Sequence, residues 1–242
     1  MCKRYLLLVC LSLTTPTLFS SAGIVDKHKM VSGNASPKNS SVLLELYNSL
    51  SLDSLGLSKA AFEAAIVGYQ HLQKTGTILH AGILSIVDFS LPSFKKRLFV
   101  LDLENGKLLF NTLVAHGRNS GQMIATRFSN RSRSLESSLG FYLTGETYVG
   151  QCGYSLRLLG IEPGINSNAY KRGIVVHGAD YVNEETSIIN GRMGRSEGCP
   201  AIPRDIHRVV IETIKEGSCF FIYGRNKRYM TNSKLLKESH FS

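Results

Sequence analysis

Long apolar runs are scarce in these 242 residues. The run near the N-terminus, Tyr5 to Leu13, is too short to span a bilayer, and Pro16 interrupts its continuation. No later segment reads as a membrane helix, so no integral span is expected in the mature chain. The spacings Cys-x-x-Cys and His-Glu-x-x-His are missing, and no metal is expected. Internal repeats are absent too. Acidic residues are the minority, 18 against 28 basic ones, for a formal net charge of +10. The basic residues are scattered apart from Lys95-Lys96-Arg97 and Arg225 to Arg228, with no interleaved aromatics. Nucleic acid is therefore not an expected partner.

The N-terminus reads as an export signal. Lys3-Arg4 is its positive start, Tyr5 to Leu13 its apolar centre, and Ser20-Ser21-Ala22 a small-residue cleavage site before Gly23. Removal of residues 1–22 places the protein in the periplasm or another extracytoplasmic space. There the anionic partners of a basic surface are envelope polymers and lipid, although the same charge equally serves as a solvated face. Of five cysteines, Cys152, Cys199 and Cys219 survive cleavage. A Cys152–Cys219 disulfide would spare Cys199; the favoured alternative has both as small residues buried in strands.

Residues 23–40 are rich in Ser, Asn, Lys and Gly and read as a flexible linker. Within 41–76, Leu43, Leu46, Tyr47 and Leu50, then Phe62, Ile66, Tyr69 and Leu72, recur at helical spacing, with Ser58 as an N-cap and Gly76 as a stop. A helical pair is expected. From Ile78 the pattern becomes strand-like: Ile83 to Phe89, Arg97 to Leu103 and Leu108 to Ala115, with Asn105-Gly106 predicting a type I′ hairpin. Arg118 to Ser138 is a long polar loop. Strands are expected again at Phe141 to Thr144, Ser155 to Leu159, Ile174 to Val176 and Cys219 to Tyr223. Ile206, Val210 and Ile214 mark a helix, and residues 224–242 a basic, fraying tail. The fold class is mostly β (α+β).

Chemistry concentrates between Ile174 and Pro203. The β-branched run Ile174-Val175-Val176 delivers His177-Gly178 at its end, and Arg195-Ser196-Glu197-Gly198-Cys199-Pro200 follows after a polar stretch. Pro200 keeps Cys199 out of helix, and Gly198 permits close backbone approach. A free thiol has a pKa of about 8.5 and needs a base to react, and His177 is the candidate. An activated Cys199 would alkylate well below that pH. The N–H groups of Gly198 and Cys199 are candidate oxyanion donors. His116-Gly117 also ends a strand and supplies a rival base. Arg195 and Arg192 flank the cysteine closely enough to receive a carboxylate. Asp180 can orient His177 by charge, and either His116 or Asp180 can join His177 and Cys199 in a less favoured zinc site.

His177-Gly178 followed by Ser196-Glu197-Gly198-Cys199 resembles the catalytic motif of the L,D-transpeptidases, cysteine enzymes that remodel peptidoglycan. The stretch from His177 to Pro203 is similar to a divergent branch, the murein L,D-transpeptidase catalytic domain family. Ser137-Ser138-Leu139-Gly140-Phe141-Tyr142 resembles a degenerate form of that fold's Thr-Pro-x-Gly-x-Phe strand start. Two departures stand out. Glu197 occupies a position where the commoner pattern has histidine, and the 22 residues from His177 to Cys199 imply a larger loop over the site. The resemblance implies an L,D-transpeptidase-like β-sandwich over 77–223 with a helix after the cysteine turn. It implies Cys199 as nucleophile, His177 as base, Ser196 as the orienter of His177, stem peptides as substrate, and no cofactor. Hydrolysis of the same bond by an L,D-carboxypeptidase, or a silent peptidoglycan-binding module, are the alternatives.

Overall fold

The computed structural model describes residues 40–237, with side chains from residue 45 onward. The expected signal peptide (1–22) and the linker (23–40, apart from Ser40) lie outside the described residues. Helices α1 (Ser40–Ser49) and α2 (Lys59–Lys74) come first. Ser58 caps α2, its Oγ accepting from the N–H of Ala61 at 3.3 Å, and Thr75 and Gly76 (φ 67°) end it. The same Oγ donates to the Asp88 carboxylate at 2.6 Å, placing negative charge at the helix N-terminus, where the helix dipole favours it. Phe62, Ile66, Tyr69 and Leu72 form the buried face. Gly68 sits directly on the sheet: a Cβ there would fall 2.0 Å from the Phe141 ring.

Eight strands follow: β1 (Ile83–Asp88), β2 (Leu98–Asp102), β3 (Lys107–Thr112), β4 (Gly140–Gly150), β5 (Gly153–Gly160), β6 (Val175–Ala179), β7 (Ala201–Pro203) and β8 (Cys219–Tyr223). Helix α3 (Glu184–Asn190) lies between β6 and β7, and α4 (His207–Ile214) between β7 and β8. The sheet order is β3-β2-β1-β8-β4-β5-β6-β7. The sheet curls until its two edges meet: the chain leaving β3 bridges β7, with the Ala115 N–H on the Ala201 carbonyl at 2.8 Å. The architecture is mostly β, sandwich-like, with helices on its outside. Phe141 and Phe221 stack at 4.2 Å in the core, a pair worth about 1 kcal/mol beyond its area.

Several local expectations are corrected. The β2–β3 connection is not a type I′ hairpin, because Asp102 pairs with Lys107 and leaves four residues between them, of which Gly106 has positive φ (61°) and Asn105 does not. The Asp102 carboxylate holds that turn by accepting from the N–H groups of Glu104 and Asn105. Strand β6 runs on through His177 to Ala179, so His177 is inside it. The tail does not fray through Lys237; it forms α5 (Lys227–Asn232) and α6 (Lys234–Lys237). Buried Glu162 anchors it, accepting from the Tyr229 hydroxyl at 3.2 Å and from the Ser233 hydroxyl. All three described cysteines are free: Cys219 is buried in β8, whereas Cys152 is exposed in the β4–β5 turn. No helix among the described residues is long and apolar enough to cross a membrane.

Candidate active site

Parallel pairing of β6 and β7 sets His177 beside Ala201, two residues past Cys199. Both side chains line one cleft of about 890 Å³, together with Tyr181, Arg172, Cys152 and Arg195. The cysteine turn is tightly braced. Ser196 Oγ donates to the Cys199 carbonyl at 2.6 Å and accepts from the Gly198 N–H at 3.1 Å, while Ser137 Oγ donates to the Gly198 carbonyl at 3.1 Å. Gly198 has φ 127°, and a Cβ on it would meet the Glu136 carbonyl at 2.9 Å and Arg172 Nη2 at 3.2 Å. Only glycine fits that backbone and that space.

Burial dominates the electrostatics. It pushes the Cys199 thiol up to about 11, against the opposing pull of a Val175 N–H aimed at the sulfur and of the Arg172 cation. The thiol rests on the Gly173 carbonyl at 3.5 Å. Burial in this resting site thus opposes alkylation well below pH 8.5. Burial likewise holds the His177 pKa below its usual 6.5, with Arg204 and His207 adding to the effect. His177 Nδ1 lies 3.2 Å from the Gly178 carbonyl. A carbonyl only accepts, so Nδ1 carries the proton and Nε2 is the basic nitrogen.

His116 is placed quite differently. Its Nδ1 accepts from Arg97 Nη2 at 2.7 Å and its Nε2 donates to the Gly121 carbonyl at 3.2 Å, so both nitrogens are committed inside the protein. Asp180 is also taken, by Arg204 Nε at 2.6 Å. Neither joins His177 and Cys199, so the zinc arrangement loses both candidates for its further ligand. Among the described residues no group of three or more His, Cys, Asp or Glu could hold a metal ion.

Other expected site residues shift in role. The Ser196 hydroxyl braces the cysteine turn and its carbonyl accepts from the Arg118 N–H at 2.8 Å, while His177 Nδ1 is on the Gly178 carbonyl and not on Ser196. Gly198 spends its N–H on Ser196 Oγ, leaving Cys199 N–H as the candidate oxyanion donor. Arg195 does line the cleft, but its Nη1 donates to the carbonyls of Arg118 and Gly121. Arg192 donates to the Met193 carbonyl and is not part of the cleft wall.

Arg172 was not visible as a site residue in the sequence. Its guanidinium donates to the Ser129 carbonyl (2.6 Å), Ser138 Oγ (2.5 Å), Ser134 Oγ (3.2 Å) and the Glu136 carbonyl (2.5 Å). One side chain thereby pins the 118–138 loop against the cysteine turn. Its only sequence signal is a Lys171-Arg172-Gly173 step just before β6.

A family model described as the L,D-transpeptidase catalytic domain matches residues 53–223. The chain belongs to this family. The match begins at Asp53 and takes in α2 as well as the sheet. The fold is the family's β-sandwich with a helix, α4, after the cysteine turn. The chain is also similar to solved L,D-transpeptidases. That from Mycobacterium smegmatis is 12% identical over 59% of this chain and 59% of that one (TM-score 0.37). That from Stackebrandtia nassauensis is 14% identical over 76% and 77% (TM-score 0.36). That from Xylanimonas cellulosilytica is 15% identical over 75% and 92% (TM-score 0.35). The chain thus spans 59% of the length of the Mycobacterium smegmatis protein. A search of curated proteins finds no match.

Proposed function

We propose that this L,D-transpeptidase is an exported cysteine acyl-transferase acting on peptidoglycan stem peptides. The observation that carries the reading is the convergence of His177 and Cys199 on one cleft while the rival His116 is locked away on Arg97. The cleft wall is strongly cationic, with Arg118, Arg133, Lys171, Arg172 and Arg195 against Glu197, which suits a carboxylate-bearing peptide.

Substrate draws the Cys199 thiol off the Gly173 carbonyl. His177 Nε2 takes the thiol proton as sulfur attacks the carbonyl joining the diamino acid to terminal D-alanine. Cys199 N–H receives the developing oxyanion. The C–N bond breaks, His177 returns the proton to the departing amine, and a thioester remains. An amine of a second stem attacks it, gives its proton to His177, and displaces the sulfur, which is reprotonated. Burial disfavours the charged forms of both thiol and imidazole, so in the proposed step proton transfer accompanies attack, without a resting ion pair.

A second reading has water as the acceptor, making the protein an L,D-carboxypeptidase. What favours it is the fixed 118–138 loop: held by four bonds from Arg172, it offers little closure to exclude water. Labelled amine acceptor, supplied at rising concentration, separates the two. Transfer predicts that labelled cross-linked product overtakes free tripeptide. Tripeptide in excess at saturating acceptor would assign the protein to hydrolysis.

A further inference from the structure

Three segments meet at one buried residue, Ser93. Its N–H donates to the Met123 carbonyl at 2.7 Å, and its Oγ accepts from the Met193 N–H at 3.1 Å. Helix α3 is tied to the same point through Ser187 Oγ on Met193 Sδ, and through Lys96 on Glu184 at 3.6 Å. Around this node Phe94, Met123, Ile124, Ile188 and Ile189 are all exposed, the two isoleucines at 82% and 72%. Helix α3 runs from its Asn183 cap to Gly191, and Ser187 is its buried residue, so the fold leaves its isoleucine pair without a partner. The flanking charge is basic. Lys95 lies over the Phe94 ring at 5.9 Å, and Arg192 follows α3 directly, its Nη1 on the carbonyl of Met193. Of the two glutamates on α3, Glu184 is neutralised by Lys96, which leaves Glu185 as the local acid.

We propose that this apolar tip docks on an anionic lipid surface, with Ile188 and Ile189 entering the headgroup region and Lys95 and Arg192 beside them to meet the headgroups. Projecting aliphatic side chains ringed by cations match a membrane interface, which rewards both apolar burial and positive charge. A protein partner is favoured less, since protein–protein interfaces are depleted of lysine, and Lys95 stands at this tip. Without Lys3 and Arg4 of the expected signal the chain keeps 26 basic against 18 acidic residues, a formal +8, which strengthens attraction to an anionic bilayer. Tyr181 and Arg195, at the two ends of the segment bearing α3, also line the cleft, so docking would bring the cleft close to the membrane. The inference does not depend on the reaction proposed above.

The chain contains no tryptophan, so a single introduced one reports on its own position. In the full chain, Ile189→Trp should shift to bluer emission with phosphatidylglycerol-rich vesicles and be quenched when their acyl chains are brominated. High salt should weaken both effects, and neutral phosphatidylcholine vesicles should give little response. Leu79→Trp, exposed at the opposite end of β1, should stay unchanged. The proposal is overturned by Ile189→Trp emission that ignores anionic vesicles, even if the chain cosediments with them. It is equally overturned by an identical response to neutral vesicles. A blue shift that instead grows with protein concentration, without lipid, would assign the tip to a second copy of the chain.

Discussion

Arg97, fully buried, donates from Nη2 to Nδ1 of His116 at 2.7 Å. This places a permanent cation against an imidazole, and burial together with that cation holds the His116 pKa down to about 4. In the unfolded chain the same group titrates near 6.5. The folded state therefore binds fewer protons, and stability is fully present above pH 6.5 and lost as pH falls toward 4. The difference amounts to about 3 kcal/mol. Urea unfolding midpoints should drop across this window. His116→Gln should flatten the dependence while lowering the midpoint at neutral pH, because Arg97 loses its acceptor.

His177→Gln should behave oppositely. The fold and its unfolding midpoint should stay close to those of the unaltered protein, while acylation falls by about two to four orders of magnitude, as for a positioned general base. Single-turnover acylation measured beside the unfolding midpoint separates the two histidines. A larger acylation loss in His116→Gln would mean that the base is the other one.

The two histidines mark what the sequence makes legible. A β-branched run ending in His177 and a Gly-Cys-Pro turn are local patterns, and both elements and their shared cleft follow from them. Arg172 is invisible because its partners are carbonyls and hydroxyls 34 to 43 residues away, and nothing in its neighbours encodes them. The C-terminal helices escape for the same reason: what orders Tyr229 and Ser233 is Glu162, buried 67 and 71 residues upstream. Ser196 is misassigned to His177 because its actual acceptor, the Cys199 carbonyl, is a backbone group that any sequence supplies.

Cys199 should react as a weakly acidic thiol. With exposed Cys152 replaced by Ser, iodoacetamide labelling of Cys199 should climb toward pH 11, since burial holds its pKa at about that value. Arg172→Gln removes a cation that favours thiolate, so labelling at any fixed pH should slow. Arg172→Lys keeps the charge but not the four-way grip, and should restore labelling more than it restores turnover.

Ser196→Ala deletes the hydroxyl that ties Gly198 to Cys199. Losing these bonds should cost about 1–3 kcal/mol of stability. Acylation should fall without a change in the pH profile set by His177. A shifted profile would mean that Ser196 acts on the imidazole after all.

The central claim is that Cys199 forms a thioester with the stem peptide. Tetrapeptide muropeptides incubated with the protein, and read by mass spectrometry, test it most directly. The expected result is loss of D-alanine together with an intact-protein mass increased by the rest of the muropeptide, its tripeptide now acyl-linked to the sulfur, both absent in Cys199→Ala. Undiminished D-alanine release by the folded Cys199→Ala protein would contradict it.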